Sequence, residues 1–198
     1  MPFFFQRPWP NFAHAGRSYS LAHLNEYVFE ALDSEGIQRK ILVTFSDHCF
    51  TKDPELGDDP RLHYPPSTRG PGHFCVDRWD LSLSLRDRIQ EAAQSGVWLA
   101  QDARYGIIPT IHLHGRHHLY GILFELSKVK GFHFKLKMDI ITAYPLTRLT
   151  EDGESVEMAT FGEIKFDRLV KLRLNNQIPV KNADRHRRKP RVYPAETK

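Results

Sequence analysis

The sequence predicts an α+β fold, an antiparallel β-sheet meander packed on one main helix, with a β-hairpin before it and a disordered basic tail after it. Three observations carry this. From Asp80 to Ser95 the residues Leu81, Leu85, Ile89, Ala92 and Ala93 recur at helical spacing. Four stretches of strand character follow, Val97 to Ala100, Gly106 to His114, His117 to Ser127 and Phe132 to Tyr144, joined by short polar or glycine-containing links. Ahead of the helix, Tyr27 to Ala31 and Gln38 to Phe45 are rich in β-branched and aromatic residues and flank Asp33-Ser34-Glu35-Gly36, a hairpin signal.

Taken in order, residues 1–16 mix four phenylalanines, a tryptophan and three prolines without a period. They read as an irregular aromatic arm, laid over the body or offered to a partner. Residues 17–180 form a single α+β domain, since 198 residues with 40% hydrophobic content suffice for one sizeable core. Within it, residues 52–72 hold five prolines and three glycines and read as a long surface loop. The main helix takes Asp80 as N-cap and Gly96 as its stop. In the last meander strand Phe132, Phe134, Leu136, Met138 and Ile140 share one face, against His133, Lys135, Lys137 and Asp139 on the other. Thr142 and Tyr144 continue the apolar face unless a bulge intervenes. The segment 161–174 suits helix or strand and is read as a strand entering the sheet edge. Residues 181–198 carry seven basic side chains against two acidic ones. The net charge of +4 therefore belongs to this tail, and residues 1–180 are close to neutral. Such a tail attracts phosphate backbones without reading sequence.

Several classes are disfavoured. No apolar run reaches the roughly 20 residues of a membrane span, and the N-terminus lacks a basic flank and a full apolar segment. With only Cys49 and Cys75, read as reduced thiols, the expected location is the cytoplasm, with no membrane partner. There is no glycine-rich phosphate loop of the Walker or dinucleotide type, so a nucleotide-driven motor or a dehydrogenase is unsupported.

The densest chemical signal is Ile111-His112-Leu113-His114-Gly115-Arg116-His117-His118. A Gly115-Arg116 turn would set His114 opposite His117 and His112 opposite Leu119, bringing His112, His114 and His117 to one face near the tip. Imidazoles there could act as general acid and base on a ribose 2′-hydroxyl, with Lys135, Lys137 and Arg116 stabilising the phosphorane charge. The same three histidines could instead bind a metal, or merely decorate a polar tip. Gly106 and His112-x-His114 also resemble the opening of a cupin motif, but Leu119 and Tyr120 stand where its glutamate belongs. A second cluster is Ser46-Asp47-His48-Cys49-Phe50-Thr51. With His73 and Cys75 it offers a two-Cys, two-His set of unfamiliar spacing, and buried reduced cysteines are the simpler reading.

The runs Ile41 to Thr51 and Phe74 to Leu85, the latter containing Asp-Arg-Trp-Asp-Leu-Ser, and Ile140-Ile141-Thr142-Ala143-Tyr144-Pro145 resemble small proteins of bacterial mobile elements, of the stationary-phase adaptation or prophage type. Over roughly residues 78 to 146 the order helix, four-strand meander and Thr-x-Tyr is similar to the barnase, EndoU, colicin and RelE-like nuclease class. That resemblance implies metal-independent RNA cleavage with no cofactor, with Thr142 and Tyr144 where catalytic side chains are expected and Arg104 and Tyr105 as substrate contacts. The resulting expectation is a toxin-type RNA endonuclease using His112, His114, His117, Lys137, Thr142 and Tyr144. Arg104, Tyr105, Arg116 and Lys135, with Arg185, Arg187 and Arg188 of the tail, would bind RNA. Its rivals are a non-catalytic protein or nucleic-acid binder of a mobile element, with a protein partner or antitoxin on the arm and loop, and a His-ligated metalloenzyme.

Overall fold

Short apolar and β-branched segments separated by turn residues build most of the molecule from strands. The computed structural model describes residues 7–65, 72–100, 104–113, 116–130, 132–146 and 162–179. Phe12–His14 (β1) and Arg17–Tyr19 (β2) pair around Ala15 and Gly16, both at positive φ. Tyr27–Leu32 (β3) and Gln38–Phe45 (β4) form the expected hairpin. Thr51–Lys52 (β5), His63–Tyr64 (β6) and Gly72–Phe74 (β7) make a small sheet in the order β5-β7-β6. The helices Val76–Ser82 (α1) and Leu85–Ala92 (α2) lead to Gly96–Leu99 (β8), Tyr105–Ile107 (β9), Thr110–Leu113 (β10), Arg116–Lys128 (β11) and Leu136–Pro145 (β12). Glu163–Lys165 (β13) precedes the helix Phe166–Leu174 (α3).

The main sheet follows β13-β8-β9-β11-β12-β4-β3, with β10 also on β11. Every pairing in it is antiparallel except β12 with β4. This is the α+β meander with its preceding hairpin. The core lies on one face of β11 and β12. Tyr120, Ile122, Phe124 and Leu126 alternate inward on β11, opposed by Leu136, Met138 and Ile140 on β12, and all are buried with Leu85, Ile89, Phe166, Leu169 and Val170 of the helices. Burial of each large side chain stabilises the fold by about 1.5–3 kcal/mol. Asp33 holds the β3–β4 turn. Its carboxylate accepts from the Glu35 and Ile37 amides at 2.9 and 3.1 Å and from Arg39 Nε at 2.8 Å.

Four expectations are corrected. The single helix from Asp80 to Ser95 is two helices, the first preceded by Cys75 and not capped by Asp80. Ser82 Oγ donates to the Trp79 carbonyl at 2.6 Å and Ser84 Oγ to that of Leu81 at 3.0 Å, so both hydroxyls compete for helical acceptors at the break. Gly96 does not stop the helix but opens β8, where a Cβ would meet Glu163 Oε1 at 2.0 Å. Among the described residues of the segment 161–174 only Glu163–Lys165 is strand, and Phe166, Leu169 and Val170 form the buried stripe of α3. The last meander strand starts at Leu136, because Val129 N–H donates to the Lys135 carbonyl at 2.9 Å across a turn.

The described part of the N-terminal arm belongs to the body. Trp9 meets Phe50 edge-on at 5.4 Å, Phe12 stacks on Phe74 at 4.4 Å, and Tyr64 Oη donates to the Pro10 carbonyl at 3.0 Å. The basic tail 181–198 lies outside the described residues. Among those described, no helix is long and apolar enough to cross a membrane.

Candidate functional site

The parallel pairing of β4 with β12 runs from Ile41 beside Leu136 to Phe45 beside Ile140, so β4 ends halfway along β12, which continues to Pro145. There β4 stops and a single 3-10 turn, Asp47–Cys49, takes its place beside β12. Ser46 makes the switch. Its amide donates to the Ile140 carbonyl at 2.9 Å, its hydroxyl donates to the Ile141 carbonyl, and the same oxygen accepts from the His48 amide at 3.2 Å.

A β-bulge sits at this junction. Leu123 pairs with Thr142, but Phe124 pairs with Ile140, which leaves Ile141 unopposed. One extra residue reverses the alternation beyond it. Ile140 and Ala143 are both buried, whereas Thr142 and Tyr144 are half-buried and leave the core face. The simple period-2 reading that carried them inward is corrected by this bulge.

Arg78 reaches the same place from α1. Its Nη1 donates to the Thr51 carbonyl at 2.6 Å and the His48 carbonyl at 3.2 Å, and its Cζ lies 5.7 Å from the Tyr144 ring centroid. Two backbone acceptors and an aromatic face therefore fix a half-buried guanidinium beside Tyr144. Among the described residues its Nε and Nη2 make no hydrogen bond, and an oxyanion can use them. Sequence reasoning missed Arg78. It lay in the Asp-Arg-Trp-Asp run, but only the fold shows that it meets β12.

Behind the guanidinium is a buried polar group. Cys49 is fully buried, and burial first of all, with the Asp47 charge, pushes its thiol up to about 12 against the opposing Ser46 and Arg78 contributions. Such a thiol is not a nucleophile near neutral pH. Burial likewise raises the Tyr120 hydroxyl above its usual range. Asp47 Oδ2 and Tyr120 Oη are buried with no hydrogen-bond partner among the described residues. Cys49 and Cys75 are both free, as expected. The two-Cys, two-His set is not assembled, since His73 Nδ1 instead faces Asp58 Oδ2 at 3.3 Å. No three His, Cys, Asp or Glu side chains among the described residues stand close enough to hold a metal.

The histidine hairpin has a different register from the one expected. His112 pairs with His117 and Leu113 with Arg116, leaving His114-Gly115 between the paired residues, while Thr110 and not His112 opposes Leu119. The pairing is set from the body outward, where the Tyr120 amide donates to the Pro109 carbonyl at 2.9 Å. His114, and the side chains of His112, Arg116 and His117, lie outside the described part.

The lysines stand far from this hairpin. Lys137 pairs with Ser127, ten residues along β11 from His117, which is about 33 Å at ~3.3 Å per residue. One phosphate cannot meet both, so the expected grouping of hairpin histidines with Lys135 and Lys137 is corrected. Lys137 Nζ is instead paired with Asp139 Oδ1 at 2.6 Å, to which Thr44 Oγ1 also donates, and exposed Lys135 donates to the Phe132 carbonyl at 3.4 Å. Arg104 Nε faces Glu125 Oε1 at 3.5 Å. Tyr105 is no surface contact. It is 1% exposed, packs 5.5 Å from Phe124, and burial raises its hydroxyl above the usual range. Arg185, Arg187 and Arg188 lie outside the described residues.

The YjaZ family model matches residues 11–174, from the residue before β1 to the last residue of α3. Protein YjaZ of Escherichia coli (strain K12) is 28% identical over 148 residues, covering 72% of this chain and 79% of that protein. No solved structure matches. The matched span contains every strand and helix described above, together with the β4–β12 junction and Arg78, and on that span the chain belongs to the YjaZ family.

Proposed function

We propose that the chain is a toxin-type RNA endonuclease that needs no metal, with its chemistry at the β4–β12 junction. The observation that carries this reading is the Ile141 bulge, which turns Thr142 and Tyr144 out of the core and leaves the Tyr144 ring beside a guanidinium anchored on two carbonyls. Cleavage of RNA by its own 2′-hydroxyl needs three things there. A base takes the 2′-proton as the new oxygen–phosphorus bond forms, a cation stabilises the phosphorane, and an acid protonates the departing 5′-oxygen. Arg78 supplies the cation and the Thr142 and Tyr144 hydroxyls position the phosphate. Imidazole can both take and give a proton near neutral pH. His48 is half-buried in the turn that holds Arg78, and the hairpin histidines begin about 13 Å away, four residues from the Gly121 that pairs with Tyr144. Because residues 1–180 are close to neutral, general attraction for RNA falls to the tail.

The test is incubation of purified protein with total RNA in EDTA, comparing wild type with Thr142→Val/Tyr144→Phe and with His112→Ala/His114→Ala at equal folded concentration. Cleavage that the first pair removes and the second leaves supports this site. Loss with the hairpin pair alone moves the chemistry to the tip, and no cleavage by wild type overturns the nuclease reading.

A further inference from the structure

The small sheet β5-β7-β6 carries a pair of histidines outside the junction. His63 on β6 and His73 on β7 are directly opposed, so both imidazoles leave the same face of the sheet. Their ring centroids lie 6.4 Å apart with the planes at 73°. Beside His73 stands Asp58, whose Oδ2 lies 3.3 Å from His73 Nδ1. That carboxylate is itself fixed. Oδ2 accepts from the Glu55 amide at 2.9 Å and Oδ1 from Lys52 Nζ at 3.1 Å, and these contacts, the amide first, hold its pKa below the usual carboxylate range. An ionised carboxylate only accepts, so His73 Nδ1 carries the proton and a neutral His73 keeps its lone pair on Nε2. The His73 side chain is 12% exposed, and among the described residues neither its Nε2 nor either ring nitrogen of His63 makes a hydrogen bond.

We propose that His63 and His73 chelate one divalent transition-metal ion of the class that prefers imidazole, such as zinc, nickel or copper, between β6 and β7. A histidine whose second nitrogen donates to a carboxylate is the common form of a metal-bound histidine, because the carboxylate fixes the tautomer and raises the basicity of the ligating nitrogen. Metal–nitrogen bonds of ~2.0–2.1 Å let one ion bridge ring nitrogens about 4 Å apart. Adding the two ring radii reaches the observed centroid separation, and His63 is exposed, so its ring can turn toward His73 Nε2. Asp58 is held back by Lys52 and the Glu55 amide, and no third His, Cys, Asp or Glu joins the pair among the described residues. Water or a small oxygen ligand fills the remaining positions, which makes the site an open one. Both imidazoles must be neutral to bind, so affinity falls as pH drops below about 6.5. The site is independent of the nuclease reading, whose cleavage proceeds in EDTA.

The experiment uses the full chain without a polyhistidine tag, stripped with EDTA, dialysed, and titrated with zinc, nickel or copper chloride near neutral pH by calorimetry. The titration is repeated for His63→Ala, His73→Ala, Asp58→Asn and His112→Ala/His114→Ala, each first matched to wild type by a metal-free melting curve. Should His73→Ala melt early, His73→Gln takes its place. The expected result is one bound ion whose affinity falls at least about tenfold in either single histidine variant, falls about 10–100-fold in Asp58→Asn, and is unchanged in the hairpin variant. Zinc should also raise the Tm of wild type and leave that of His63→Ala/His73→Ala where it was. Affinity lost in only one of the single histidine variants overturns chelation, and Asp58→Asn binding as tightly as wild type contradicts the role given to Asp58. Loss in the hairpin variant alone places the ion at the histidine tip instead, and absence of saturable binding of all three metals to wild type overturns the site.

Discussion

The β10–β11 hairpin and the β4–β12 junction are both rich in side chains that do chemistry, but they are assembled in different ways. At the hairpin the histidines are neighbours in the sequence, and the register His112 with His117 is a local event at the tip of a long strand. At the junction Ser46, Arg78, Thr142 and Tyr144 come from three distant segments and are held by Ser46 bridging β4 to the bulge and by Arg78 on the Thr51 and His48 carbonyls. Density in sequence marks the first region, and convergence of fixed groups marks the second. A site that must position a phosphate needs the second property.

The comparison can be broken most severely at the bulge. Inserting an alanine between Leu123 and Phe124 gives Ile141 a partner and restores strict alternation, which turns Thr142 and Tyr144 toward the core and carries Ala143 out of it, with an expected loss of about 3 kcal/mol or more in urea unfolding. Ile141→Val keeps the bulge and should fall within ~1.5 kcal/mol of wild type. Gly121 is the next lever, since it pairs with Tyr144 and a Cβ there would meet Leu146 Cδ2 at 2.6 Å. Gly121→Ala should lower stability by about 1–3 kcal/mol through overpacking. A junction that tolerates it freely is looser than described.

Two titrations sharpen the contrast with smaller effects. Cys49 is an acid whose folded pKa of about 12 stands above its ordinary 9.0, so the fold favours the protonated thiol. Its contribution is complete below pH 9 and declines as pH rises from about 9 to about 12, because the unfolded chain releases its proton first. Cys49→Ala should flatten that part of the stability curve, and in the native wild type only Cys75 should react readily with a thiol reagent. His23 behaves in the opposite sense. Burial, then the Arg86 charge, hold its pKa below 6.5, and its Nε2 lies 2.7 Å from Ser82 Oγ. Its contribution is present above pH 6.5 and is lost as pH falls toward the depressed value. His23→Gln should reduce the fall in Tm between pH 7 and pH 5.

Most of the sheet was legible because its signals are local. Alternation over Leu136 to Ile140, the hairpin around Asp33 to Gly36 and the helical stripe through Leu85 and Ile89 each depend on residues within a few positions of one another. What escaped the sequence depends on partners far away. The parallel β12–β4 pairing joins segments ninety-five positions apart, and the bulge follows from that junction rather than from any turn residue in Ile140-Ile141-Thr142. The helix break at Leu83-Ser84 was readable only from serine hydroxyls that could equally have faced water. The candidate site was half visible: Thr142 and Tyr144 through a resemblance, His48 through its cluster, and Arg78 not at all.

The most direct test of the account keeps charge and fold while removing the fixed geometry of the guanidinium. In Arg78→Lys, matched to wild type by melting curve, an ammonium cannot hold the two carbonyls and reach a phosphate together. RNA cleavage in EDTA should fall by about 10²–10³-fold, as when one preorganised donor to a developing oxyanion is lost, while His112→Ala/His114→Ala keeps most of its activity. Full activity in Arg78→Lys together with loss in the hairpin variant would contradict the account and return the chemistry to the histidine tip.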